Sequence, residues 1–358
     1  MVDIRISTDD LNDPSIDDAL ALERSLSRTD GQSIEDVRTP FYLSPVFYYS
    51  LAAMIGALAA WGLLEPFYTD GEQGSGIPFI SDYLMFGPVA AAIGLAVGVA
   101  YGLSNGNLSK AAYCGLLGIG VGLGATIVTT VVADILFGLT SQVAVALYLQ
   151  NHRMPGGSEE FKPTGVSFWI LMSGRGLAWA IVAAGGGLSL GIATKSRKLL
   201  LNGLAGGMIG GLLGGLCFDP IHRFVLDWGS EAALSRGVGM GAVGLLVGFF
   251  IGLFENLSKD AWLLMLRGPL SGKQFVIFKS PMMVGSTPKS DIYLFKDPAI
   301  EPHHASIVKS GSRYMIRDEG SESGTFVNGK RVDRYVLQPN DVVSIGETVL
   351  KYHERTGK

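Results

Sequence analysis

Cysteine is nearly missing from this chain: its 358 residues contain two, Cys114 and Cys217, both within apolar runs. That number and spacing exclude a disulfide framework and a zinc site, and the two read as small buried hydrophobes. Charge is missing from the middle of the chain. Residues 41–266 hold 10 Lys/Arg and 12 Asp/Glu, together with most of the 49 glycines. Residues 1–40 hold 4 Lys/Arg against 10 Asp/Glu, and the stretch from Arg267 onward holds 14 against 10. Compositions this different exclude one soluble globular body. The net charge of −4 comes with no concentrated basic stripe, so nucleic acid is not an expected partner.

Catalytic signatures are missing too. There is no phosphate-binding Gly-Lys-Ser/Thr motif and no His-Glu-x-x-His. The one Gly-x-Ser-x-Gly match, Gly187 to Gly191 around Ser189, falls inside an apolar run rather than on a strand-to-helix elbow. Glycine-rich runs that mimic a dinucleotide fingerprint lack its strand-then-helix context. His303 and His304 are adjacent, so a strand would point them to opposite faces. No carboxylate or cysteine stands near them at metal-ligand spacing. The expectation is a protein that is not an enzyme and carries no cofactor or metal. No apolar run precedes Phe41, and the segment ahead of it is acidic, so no secretory signal peptide is expected.

What is present in the middle is a set of runs long enough to cross a bilayer core of about 30 Å. There are six: Val46–Leu64, Leu84–Leu103, Ala111–Ala133, Ser173–Ala193, Leu199–Phe218 and Arg236–Glu255. The third continues into the fairly apolar Ile135–Gln150, which reads as an outward helix extension or an interfacial segment. Lysine and arginine collect on the cytoplasmic side of short loops. Lys110, Lys195, Arg197, Lys198, Lys259 and Arg267 then share one side, whereas Glu65–Tyr83 has no Lys or Arg. Six crossings place both termini in the cytoplasm, and a bacterial inner membrane is the expected location. Residues 1–40 become an acidic cytosolic tail with one short helix around Ser15–Ser27, and residues 41–266 a glycine-rich helical bundle.

The bundle carries an internal repeat. Phe86-Gly87, Arg175-Gly176 and Arg236-Gly237 open the even segments, and each is followed at one spacing by a distal glycine, Gly102, Gly191 and Gly252. Three hairpins are implied. Small residues four apart let helix backbones approach closely in lipid, which makes Gly207 and Gly211 candidate packing positions. Oligomer contacts are a sharper use of so much glycine. Charged residues near the segment ends, Glu65, Asp134, Arg175, Asp219 and Arg236, are candidates for structural pairs or for a charged outer vestibule.

From about Gln274 short β-rich runs alternate with turn residues. Eight strands are predicted: Phe275–Phe278, Ile292–Phe295, Ala305–Lys309, Tyr314–Asp318, Thr325–Val327, Val332–Leu337, Val342–Ile345 and Thr348–His353. That spacing predicts an all-β sandwich, assigned here to residues 267–358, with Asn328-Gly329 as a tight turn.

The motif order in this part resembles the forkhead-associated (FHA) domain. The residues that carry it are Val284-Gly285, Ser290-Asp291-Ile292 with Leu294, then Ile300 through His304-Ala305-Ser306-Ile307. Gly324-Thr325-Phe326-Val327-Asn328-Gly329, Leu337, Asp341 and Ile345-Gly346 complete it. The resemblance implies phosphothreonine-peptide binding by loops at one end of the sandwich. In the family an arginine after the first glycine and a serine three residues before the histidine contact phosphate, and an asparagine holds the peptide backbone. Those positions are Ser286, Glu301 and Ser323 in this chain, and all three depart from the pattern. Serine cannot make arginine's bidentate contact, and a glutamate would stand beside a group of charge about −1.5 to −2. The loop positions toward a partner are then Ser286, Glu301, Ser323, Thr325, Asn328 and Lys330, in a degenerate phosphate site. Gly285, His304 and Gly329 support the fold.

The expected whole is an integral membrane adaptor that recruits a protein partner through a cytoplasmic FHA-like domain, as a subunit of a membrane complex or a homo-oligomer. The other reading is a channel or transporter with a regulatory FHA domain.

Overall fold

The computed structural model describes residues 39–67, 78–151, 163–227 and 232–355, which fall into two compact units. The short helix expected at Ser15–Ser27 lies outside these residues. One unit is helical, Phe41–Ser258; the other joins the residues ahead of Phe41 to those from Lys259 onward, and the latter form a β-sandwich.

Six helices build the first unit: α1 Pro45–Leu64, α2 Pro78–Ser104, α3 Leu108–Asn151, α4 Gly165–Thr194, α5 Arg197–Asp227 and α6 Ala232–Ser258. All six are long and apolar enough to cross a membrane. α3 runs unbroken for 44 residues, about 66 Å at 1.5 Å per residue, twice a bilayer core. Ile135–Gln150 is therefore a continuation of the third helix.

The turns between helices follow from local chemistry. After α2 the chain reverses at Gly106, φ +64°, and the Asn107 side-chain oxygen accepts the Lys110 N–H at 2.8 Å. After α4, Lys195 takes the left-handed conformation at φ +53°, and the Ser196 hydroxyl caps the Leu199 N–H at 3.2 Å. Asparagine and serine are good N-caps because a short side-chain oxygen satisfies an orphan helix donor.

Each helix packs on its neighbours in sequence, and α6 returns to α1, so the six close into a ring. The three repeats appear as three crossings of one register. A Cβ added at Gly102 would lie 2.1 Å from the Ala111 nitrogen, one at Gly191 2.2 Å from the Leu200 Cα, and one at Gly252 2.5 Å from the Pro45 oxygen. One turn further, Gly98 meets Cys114, Gly187 meets Gly203 and Gly248 meets Tyr49, again backbone to backbone. An in–out–in hairpin would pair each odd helix with the even helix after it; these crossings instead pair α2 with α3, α4 with α5 and α6 with α1. The third joins the two ends of the bundle without a turn, and the Tyr49 hydroxyl donates to Glu255 at 3.0 Å there, both side chains buried.

The second unit holds eleven strands: β1 Ala261–Arg267, β2 Gln274–Val276, β3 Met282–Gly285, β4 Ile292–Tyr293, β5 Ala305–Ser310, β6 Arg313–Asp318, β7 Thr325–Val327, β8 Lys330–Arg331, β9 Arg334–Val336, β10 Val342–Ile345 and β11 Thr348–Glu354. One sheet has the order β2-β1-β11-β10-β7-β8 and the other β4-β3-β5-β6-β9. Their inner faces bury Leu263, Met265, Ile277, Met282, Ile307, Ile316, Leu350 and Tyr352.

This placement corrects the boundary drawn at residue 267. β1 lies ahead of it, and it is an interior strand, paired with β11 on one side and β2 on the other. Its run Ala-Trp-Leu-Leu-Met-Leu stands two residues after the last helix, separated from it by Lys259 and Asp260. β3 was also missed, because Pro281 and Gly285 bracket it as breaks, and so was the two-residue β8.

Candidate functional site

The loops after β3, β4 and β6 converge at one end of the sandwich. Gly285 closes β3, and a Cβ there would lie 2.2 Å from the Pro302 oxygen, so only glycine allows that approach. The next residue, Ser286, donates its N–H to the Glu301 carbonyl at 3.0 Å. The β4–β5 loop is shaped by Asp297, whose carboxylate accepts the N–H groups of Ala299 at 3.2 Å, Glu347 at 2.7 Å and Thr348 at 3.1 Å.

The third loop is organised by Asp318 at the end of β6. It accepts the N–H groups of Gly320 and Ser321, both at 2.8 Å, and the hydroxyls of Ser321 and Thr325, both at 2.6 Å. Burial raises the Asp318 pKa, but these four donors outweigh it and the net shift is downward. Asp318 was not among the expected site residues. Its signal was the Asp-Glu-Gly-Ser sequence, a local side-chain-to-backbone turn pattern.

Glu301 binds this third loop. Its Oε1 accepts the N–H of Glu322 at 2.9 Å and that of Ser323 at 3.4 Å. Its Oε2 is buried 2.5 Å from Nδ1 of His304 with no aligned hydrogen bond, and the same Nδ1 accepts the Glu301 N–H at 3.4 Å. Desolvation raises the Glu301 pKa; the backbone donors of Glu301, Glu322 and Ser323 and the His304 charge reverse it, leaving the carboxyl below its ordinary range. His304 is fully buried, and its Nε2 faces the Gly324 carbonyl at 3.2 Å. Ser323 donates its hydroxyl to the Ala299 carbonyl at 2.5 Å, tying the third loop to the second.

Ser286, Glu301 and Ser323 are brought together by these bonds. Thr325 and Asn328 make internal hydrogen bonds elsewhere. Thr325 is fully buried and spent on Asp318. Asn328 sits at the far end of β7, φ +50°, with its side chain bonded to Asp341 at 2.8 Å and to the Val342 N–H at 2.9 Å. Gly329 completes that turn at φ +79°. Lys330 is exposed and pairs with Val327, one step back from the loop. Arg331 reaches the loop instead, and its guanidinium donates to the Ser321 carbonyl at 3.3 Å. Alternation along β8 decides this: neighbouring residues differ in both face and distance from Gly324.

In the helical unit the charges form two equivalent pairs. Arg175 of α4 meets Asp219 of α5 at 3.1 Å and lies between the rings of Phe137 and Phe218. Arg236 of α6 meets Glu65, just past α1, and Glu65 also accepts the Trp61 indole N–H at 2.8 Å. At the corresponding position of α2 stands Phe86, whose ring packs edge-on against Trp179. Asp134 is half-buried on α3. A Cβ at Gly207 would lie 2.5 Å from the Ala183 oxygen, and one at Gly211 2.5 Å from the Trp179 oxygen. Among the described residues no group of three or more His, Cys, Asp or Glu could hold a metal ion.

Comparison with known proteins places the sandwich. Residues 282–346 match the family model described as FHA domain. The chain is 37% identical over 90 residues to the glycogen accumulation regulator GarA of Mycolicibacterium smegmatis, covering 25% of this chain and 56% of that protein. It is 34% identical over 94 residues to an oxoglutarate dehydrogenase inhibitor of Corynebacterium jeikeium, covering 26% and 65%. Among solved structures, an FHA domain of a Mycobacterium tuberculosis ABC transporter is 32% identical, with a TM-score of 0.20 and coverage of 23% of this chain and 80% of that one. The C-terminal unit is an FHA domain, and the matches to the two curated relatives span about a quarter of the chain.

Proposed function

We propose that this chain, six membrane-crossing helices followed by an FHA domain, is an integral membrane adaptor that docks a protein partner in the cytoplasm. One observation carries the reading: the phosphate-facing corner of the FHA loops holds Ser286, Glu301 and Ser323, already bonded to one another's loops. A corner with serine at the family's arginine position, a carboxylate at its serine position, and Arg331 already bonded to the Ser321 carbonyl favours a partner recognised without phosphate. Binding rather than catalysis is the proposed role, with no cofactor. An even number of crossings puts both ends of the bundle on one side, and the basic short loops make that side cytoplasmic. The ring of helices anchors the domain and packs sideways on other subunits of a membrane complex.

The test is capture of the full chain from gently solubilised native membranes. A stable protein partner, lost when the FHA domain is removed, supports the adaptor. Ion or solute flux through the purified protein in liposomes would instead make it a channel or transporter. Orientation is read in a background lacking Cys114 and Cys217. A Pro66→Cys variant is expected to react with an impermeant thiol reagent from outside the cell, and a Lys309→Cys variant is not.

A further inference from the structure

The FHA loops contain an anion site that is already filled from within. Two backbone N–H groups, those of Glu322 and Ser323, converge on one point, and the ring of the fully buried His304 stands beside it. Convergent backbone donors are what a phosphate or carboxylate needs. Glu301 supplies the anion: one carboxylate oxygen takes both N–H groups and the other lies against His304.

We propose that Glu301 is an in-chain stand-in for a ligand phosphate, and that it keeps a latent oxyanion subsite of this FHA domain permanently occupied. The side chain comes from the β4–β5 loop and bonds the β6–β7 loop, so it does between two loops what a bound anion would do. The consequence is a loop face that is formed before any partner arrives. Ordering of the 319–324 loop is complete in the free protein, and a partner that docks there does not have to supply it. Phosphorylation of that partner adds nothing, because the donors that would receive the phosphate are in use.

The inference rests on the proposed phosphate-independent docking, and the two fail separately: a partner captured through the FHA domain supports the adaptor whatever Glu301 does. Its test uses the full chain in detergent micelles, a library of phosphothreonine peptides with their unphosphorylated twins, and inorganic phosphate alone. Wild-type protein is expected to bind phosphorylated and unphosphorylated twins alike and to ignore inorganic phosphate. Glu301→Ser empties the subsite without adding a charge, and phosphate-dependent binding is expected to rise by about tenfold or more. Glu301→Gln keeps an oxygen for the two N–H groups but removes the charge, so its gain should be clearly smaller.

Three results would overturn the proposal. One is phosphate-dependent binding by the wild type. Another is no gain in a Glu301→Ser protein whose sandwich still melts cooperatively. The third is a Glu301→Gln gain equal to that of Glu301→Ser, which would make charge rather than occupancy the barrier. If Glu301→Ser does not fold, Glu301→Ala empties the subsite in its place, and the same two outcomes, no gain or a gain no larger than that of Glu301→Gln, overturn the proposal.

Discussion

The two units of this chain are packed inside out relative to each other. In the FHA domain the largest apolar side chains are the most hidden: Leu263, Ile292, Ile307 and Tyr352 have no exposure at all. In the helical unit bulky side chains face outward, with Leu63 73%, Leu116 68% and Val128 66% exposed, while glycine and alanine fill the helix crossings. Water drives large apolar groups together, so the sandwich gains stability from side-chain volume. Lipid offers no such drive, so helices gain by bringing backbones into contact, and the best residue at a crossing is the one with least side chain. The same chain uses Leu and Gly in opposite places, as helices long and apolar enough to cross a membrane would require.

The sharpest way to break this comparison is at the seam between the units. A fragment of residues 268–358 lacks β1, and with it the fully buried Leu263 and Met265. Each such loss costs about 2–5 kcal/mol, and β2 also loses its only pairing partner in the sheet order. That fragment is expected to stay unfolded by circular dichroism, whereas residues 259–358 should melt cooperatively.

Glycine replacement is the next largest effect, and it should act on one unit only. Gly211→Leu drives side-chain atoms into the Trp179 backbone and is expected to destabilise the bundle by about 3 kcal/mol or more. Tryptophan fluorescence during thermal unfolding in detergent would report it, with the FHA transition unmoved. Leu201→Ala, at a side chain 61% exposed, should change little. An unchanged bundle in Gly211→Leu would refute backbone contact at that crossing.

The charge pairs come third. Arg236→Met leaves Glu65, only 20% exposed, without its guanidinium, and should cost about 2–3 kcal/mol of bundle stability. The double change with Glu65→Gln should recover much of that loss, because the stranded charge is gone. Equal stability of single and double variants would show that the pair does not couple α6 to α1.

The smallest effect is electrostatic and belongs to the FHA loops. Asp318→Asn turns one of the two accepting oxygens into a donor NH2, so two of the four hydrogen bonds lose their acceptor, and it should cost about 1.5–3 kcal/mol. Asp318, Glu319 and Glu301 all have folded pKa values below their ordinary 3.8, 4.5 and 4.5. A depressed carboxyl pKa means the unfolded chain binds the proton first. Its stabilisation is complete above about pH 5 and is lost as pH falls through the ordinary values toward the folded ones. FHA melting temperature should therefore drop below about pH 4.5, with the drop reduced in Asp318→Asn. A flat profile would show that these carboxylates do not stabilise the loop.

Much of this was legible in the residues. Long apolar runs gave six helices, because length and composition are local properties. The spacing from Arg175 to Gly191 and from Arg236 to Gly252 carried the repeat, since one helical period reproduces one contact register. Gly285, His304 and Asn328-Gly329 carried the FHA resemblance, because each meets a local backbone demand. β1 was not legible: seven apolar-rich residues after a helix look alike as helix or strand, and only pairing with β11, almost ninety residues away, decides between them.

The sequence by itself determined the two contrasting compositions of this chain, the helix count and the fold family of its last quarter, since each depends on composition or on residues close in the chain. Tertiary structure alone decided that α6 closes on α1, that Arg331 rather than Lys330 reaches the loop, and that Glu301 lies on the N–H groups of Glu322 and Ser323. A carboxylate three residues before a histidine is read from sequence as a defect in a phosphate site. Only when two loops more than twenty residues apart meet in space does it become the anion that fills it.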